Sequence, residues 1–202
     1  SLLLVNEKLK NFKKSKEIAQ ALEELNIDVS VEKVYFDTLI ILNDPILSYE
    51  KRTELLFEIF KENKIIQRIF ATFLIQSNRE FFFSNIDMFD CEKLIDILWY
   101  QKKEDIDFDK IKNNQFLNEL YSAKNYINSV SNSSDFDLNI LILINKYQKD
   151  IKTNLTFEFI CNSCKHSSPF YEARCPNCHS ILSLEVKHHL TKAYELSNQS
   201  LQ

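Results

Sequence analysis

The chemistry in this chain is concentrated between Cys161 and Cys178. Four of its five cysteines stand there as two Cys-x-x-Cys pairs, Cys161/Cys164 and Cys175/Cys178, with ten residues between the pairs. A two-residue spacer lets one tight turn present two thiolates to one ion, and two such turns complete a tetrahedron of sulfur ligands. Four thiolates fill every position of that tetrahedron and leave none for a water to be activated. Such a site is structural in character, not catalytic. Zinc is the default occupant, and iron accepts the same four-sulfur geometry. A thioredoxin-type dithiol is the competing reading. It requires a strand-to-helix turn within a βαβ unit, and no such pattern precedes Cys161.

The flanks fit a small β-structure. Thr156–Ile160 and Ser180–Val186 alternate and are β-prone, Pro176 stiffens the second turn, and the spacer is long enough for a strand and its return. This is the plan of a zinc ribbon or rubredoxin-like knuckle. All four histidines, His166, His179, His188 and His189, lie in this part. His166 and His179 adjoin the cysteines as spare ligands or as solvent-facing neighbours. Phe170 and Tyr171 read as the small core of the ribbon. A segment this short cannot bury enough surface to hold itself, so the metal must, with docking on the preceding helices through Phe157, Phe159 and Leu182.

Residues 1–150 carry the elements that must position the knuckle. Apolar residues recur there at helical spacing. One stripe holds Leu9, Phe12, Ile18, Ala19, Leu22 and Leu25, and the next Val31, Tyr35, Leu39 and Leu42. Helices follow that carry Leu55, Leu56, Ile59 and Phe60, and then Ile65, Ile69, Phe70, Phe73 and Leu74. Ser48 is placed as an N-cap. The pattern predicts two helices between Asn78 and Gln101, a longer one from Phe108 to Val130, and a last one from Asp137 to Asp150. Shifting the chain by 34 residues superposes Leu22 on Leu56, Leu25 on Ile59, Tyr35 on Ile69 and Leu39 on Phe73, and the helix breaks coincide. Thirty-four residues is the tetratricopeptide period. The expected fold is therefore mostly α: a tetratricopeptide-like solenoid or bundle over 1–150, then a four-cysteine ribbon over 151–202 with a short C-terminal helix from His189.

Composition excludes several classes. The 202 residues include no glycine, which removes every Gly-rich phosphate loop, and positive-φ positions should fall to Asn, Asp or Ser. Net charge is −4. From Lys152 to Gln202 there are five Lys or Arg against four Asp or Glu, and both figures argue against nucleic acid as the partner. No apolar run approaches a membrane span. Cys91 reads as a buried structural thiol. Asp107 and Asp109 read as solvated or capping carboxylates. The opening Ser-Leu-Leu-Leu-Val reads as the start of a buried helix or the tail of a removed anchor.

The combination resembles the lipopolysaccharide assembly protein B (LapB, YciM) family, in which tetratricopeptide helices precede a CxxC, ten-residue, CPxC knuckle. Cys161, Cys164, Cys175, Pro176 and Cys178 match that knuckle. Pro45, Leu47, Ser48, Arg52 and Leu56 match a segment of the family's helical part. The chain departs at Lys165, where the family has Gly, at Ala173 and Arg174, where an aromatic is common, and at Ile181, where a Trp often stands. The resemblance implies a non-enzymatic cytoplasmic adaptor, tethered to the inner membrane upstream of these residues. Its protein partners would be like the protease FtsH and the deacetylase LpxC, with no small-molecule substrate. The residues alone leave two alternatives: a nucleic-acid-associated zinc ribbon, with Lys187, His188, His189 and Lys192 as a basic strip, or an iron-loaded electron-transfer site.

Overall fold

A computed structural model of the chain describes residues 2–148 and 152–192. It is mostly helical, with ten α-helices and one three-stranded sheet among the described residues. It divides into two compact units, Ser1–Asp90 with Glu172–Ser183 and Cys91–Tyr171 with Leu184–Gln202.

The first unit contains α1 (Leu2–Lys8), α2 (Phe12–Glu24), α3 (Ser30–Asn43), α4 (Tyr49–Glu62), α5 (Gln67–Ser77) and α6 (Arg79–Ser84). Short polar side chains set the helix starts. Asn11, Ser48 and Asn78 accept the backbone N–H three residues on, each satisfying a donor the first turn leaves orphaned. Sequential helices are packed neighbours from α1 to α6. Their apolar faces meet in a core of Ala19, Phe36, Leu56, Phe60, Phe70, Leu74 and Phe82, all fully buried. Phe89 stacks on Phe60 at 4.6 Å between centroids and touches Phe70 and Phe82. No residue of α1 is fully buried, so the expectation of a buried opening helix is corrected: Leu3 packs inward while Leu2 and Val5 face solvent.

Glu172–Ser183 belongs to this unit as a small hairpin. Arg174 and Ile181 form a β-bridge, and Leu182 N–H donates to the Ala173 carbonyl. Ile181 sits in one cluster with Tyr35 and Phe36 of α3, and Leu182, Ala173, Leu3 and Phe12 pack around it.

The second unit contains α7 (Ile95–Trp99), α8 (Phe108–Ile111), α9 (Gln115–Ala123), α10 (Phe136–Tyr147), β1 (Thr153–Cys161), β2 (Ser167–Ser168) and β3 (Leu184–Lys192). The sheet is antiparallel in the order β2-β1-β3, and β1 pairs with β3 without a bulge from Thr153↔Lys192 to Cys161↔Leu184. Helix and sheet join through Trp99 Nε1, which donates to Asn154 Oδ1 at 3.0 Å, and through Phe157 edge-on to Tyr100. Asp135 caps α10 through Leu138 N–H and holds His188 Nε2 of β3 at 3.1 Å with its other oxygen.

Two expectations are corrected here. The helix read from Phe108 to Val130 is two short helices. Asn114 takes the Leu117 N–H and restarts the chain as α9, and Asn125, at φ 58°, ends it. The helix read from His189 begins instead as the end of β3, through Lys192, and the rest of that expectation lies outside the described residues. Asp107 is a cap, accepting the Lys110 N–H.

Candidate metal centre

Each cysteine pair occupies a turn of the same design. In the first, Cys161 ends β1, its N–H donates to the His166 carbonyl, and its own carbonyl accepts from Lys165 N–H at 2.8 Å. In the second, Cys175 N–H donates to the Ser180 carbonyl and the Cys175 carbonyl accepts from His179 N–H at 3.0 Å. The residue after each pair closes the turn in the left-handed region, Lys165 at φ 61° and His179 at φ 63°. Glycine holds such a position without steric cost. With none in the chain, a lysine, a histidine and a leucine (Leu182, φ 49°) take left-handed conformations here, where Asn, Asp or Ser was expected. Elsewhere Asn26 and Asn125 follow that expectation, and Lys10 does not.

The two turns bring four sulfurs together. Sγ of Cys161, Cys164, Cys175 and Cys178 all lie within 4.8 Å of one another. A tetrahedron of sulfurs about 2.3 Å from an ion has edges of about 3.8 Å, which falls inside that spread, so the four sulfurs can hold one metal ion. The first cysteine of each pair is fully buried, Cys164 is half-buried and Cys178 is exposed. Ser180 Oγ lies 3.3 Å from Cys178 Sγ. A thiol there donates to the hydroxyl, and a metal-bound thiolate accepts from it.

The cluster found among the described residues contains no histidine. His179 supplies the turn backbone, and its carbonyl accepts from Arg174 Nη1 at 2.6 Å. His188 and His189 lie on β3 with carboxylate partners, Asp135 and Glu158. Tyr171 packs edge-on to Phe159 as ribbon core, but Phe170 is exposed, correcting its placement there. Cys91 is buried, with Asn114 Nδ2 3.9 Å from its sulfur.

What the sequence reading missed is the support of the second turn. Arg174 directs Nε and Nη2 at Glu7 of α1, and Glu7 accepts the Tyr35 hydroxyl of α3 at 3.0 Å. The only local signal was an arginine directly before Cys175.

No protein-family model, curated protein or solved structure matches the chain. Its reading therefore rests on the helical fold and on a four-cysteine cluster that can hold a metal ion.

Proposed function

We propose that this protein is a non-enzymatic adaptor whose helical surface binds other proteins, with zinc in the four-cysteine site as a structural element. The observation that carries the reading is the seat of the Cys175–Cys178 turn. It is packed into the helical unit through Ile181 on Tyr35 and Phe36, and tied to α1 by Arg174 and Glu7. An all-thiolate site so placed offers no open coordination position, and its contribution is to fix the surface around it.

The helical part is read as degenerate tetratricopeptide repeats. In support, α3 spans Ser30–Asn43, and the segment 34 residues on, a 3-10 turn at Lys64–Ile66 running into α5 (Gln67–Ser77), covers the same length. The LapB-like reading adds partners of the FtsH and LpxC kind and a place on the cytoplasmic face of the inner membrane.

The test is affinity capture of the tagged chain from Gram-negative cells, probed for the membrane protease and the deacetylase, with metal content measured on the same preparation. Enrichment of both, with one zinc per chain, is expected. A folded, zinc-loaded protein that retains neither overturns the LapB-like reading. A red-brown protein containing iron, or salt-sensitive binding to random oligonucleotides, turns the assignment to electron transfer or to nucleic acid.

A further inference from the structure

One end of the helical unit combines exposed aliphatic side chains with exposed lysines. The loop between α1 and α2 and the loop between α3 and α4 come together there: Lys10, Phe12 and Lys13 line one shallow cavity with Pro45 and Ile46. Ile46 is 90% exposed and Leu9 72%. Leu9 continues the outward face of α1, its N–H donating to the Val5 carbonyl, so Leu2, Val5 and Leu9 form one exposed stripe.

The charge is one-sided. Residues 8–16 carry five lysines and no acid, in a chain whose net charge is −4. Lys14 and Lys16 are held by Glu17 and Asp37. Lys8, Lys10 and Lys13 have no carboxylate partner among the described residues. Asp44 is the one carboxylate lining the same cavity, and it accepts the Ile46 N–H, so the two lysines outnumber it there. Leaving isoleucine and leucine in water at two adjacent loop tips is unfavourable, and the ammonium groups of Lys10 and Lys13 beside them repel a second copy of the same surface. A flat, negatively charged, deformable surface satisfies both features: the aliphatic tips enter the headgroup boundary while the lysines stay among the phosphates.

We propose that this end of the molecule, Leu9, Lys10, Lys13 and Ile46 with the outer face of α1, docks on an anionic lipid bilayer. The proposal does not rest on the adaptor reading. The site is peripheral and reversible, since a few aliphatic side chains and two lysines give modest affinity.

Flotation of the full chain with vesicles tests it, using equal parts phosphatidylglycerol and phosphatidylcholine against phosphatidylcholine alone. The chain is expected to float with the anionic vesicles only, and to be released by high salt. Each lysine near such a surface contributes about fivefold in partitioning, so Lys10→Ala with Lys13→Ala lowers binding roughly 25-fold. Leu9→Ser with Ile46→Ser lowers it at unchanged charge. All four side chains are outside the core, and circular dichroism checks that the variants stay folded. Absent binding, equal binding to neutral vesicles, or variants that float like the parent overturn the proposal. So does a concentration-dependent dimer abolished by Leu9→Ser, which would assign the surface to a second copy. Capture on immobilised polyglutamate without vesicle binding would assign it to an acidic protein.

Discussion

Arg174 and Glu7 are 167 positions apart in the chain, yet Arg174 Nε donates to Glu7 Oε2 at 3.0 Å, with both side chains largely buried. Glu7 also holds the Tyr35 hydroxyl, and Arg174 holds the His179 carbonyl inside the second cysteine turn. The backbone that shapes the Cys175–Cys178 turn is thus braced by two helices. Removing one partner strands the other's charge in a poorly solvated place. Arg174→Ala or Glu7→Ala is expected to cost about 2 kcal/mol, read as a lower urea midpoint of the helical signal and faster amide exchange at His179 and Ser180. Unchanged exchange in both variants would show that the turn does not depend on this brace.

Metal removal is expected to loosen the two turns first. Cys161→Ser or Cys175→Ser should abolish stoichiometric metal binding, because a hydroxyl is a poor replacement for a thiolate on a soft-ligand site. Most helical circular dichroism should survive, since the core around Phe36, Phe60 and Phe70 contains no cysteine. The Cys175 variant should also expose the Ile181 cluster, detectable as faster exchange around Tyr35. Complete loss of helicity on chelation would instead make the metal a condition of the whole fold.

The left-handed residues after each pair give a test in the opposite direction. Lys165 and His179 hold φ near 60° with a Cβ present, at a steric cost of roughly 1 kcal/mol each. Lys165→Gly and His179→Gly should each recover part of that, raising the denaturation midpoint of the metal-loaded protein, whereas Lys165→Val should lower it. Glycine variants no more stable than the parent would mean that these turns carry no strain.

Phe36 is fully buried against Tyr35 and the turn residue Ile181. Phe36→Ala should cost about 3–5 kcal/mol by cavity formation. Ile181→Ala should cost less and act mainly on the second turn. Paired denaturation curves and metal-release rates separate the two, and equal effects on release would argue against Ile181 as the link.

Glu158 supplies a pH prediction. The Ser167 hydroxyl and then His189 hold its carboxyl below the ordinary 4.5. A carboxylate with a lowered folded value adds stability above its unfolded value, and that stability is lost as pH falls through the folded one. The parent's advantage over Glu158→Gln should therefore be full above pH 4.5 and fade below it. Comparing urea midpoints of the two proteins across that window cancels acid effects common to both, such as metal loss. A constant difference would show that the hydrogen bonds, not the charge, carry the contribution.

The four-cysteine cluster was legible because each pair is local: a two-residue spacer makes each pair a turn, whatever surrounds it. The cap at Ser48 follows from the same locality. The break inside Phe108–Val130 was also written locally, in Asn114 and Asn125, but the apolar period runs through both and masked it. Phe170 was read inward because an aromatic between the cysteine pairs suggests a core. Neighbouring Tyr171 takes that place on Phe159, while Phe170 sits in a bend whose backbone N–H and carbonyl are both tied to the Ser168 hydroxyl.

By itself the sequence determined the two cysteine turns, the helical character of the residues before the knuckle and the strand that leads into it, since each depends on short-range periodicity or spacing; the strand read over Ser180–Val186 starts only at Leu184. Only the tertiary structure decided that the second turn packs on α1 and α3, that Glu7 is Arg174's partner, and that Leu9 and Ile46 share one basic, exposed end. Those relationships join residues far apart in the chain. Their energy comes from burial and charge pairing, which no local pattern encodes.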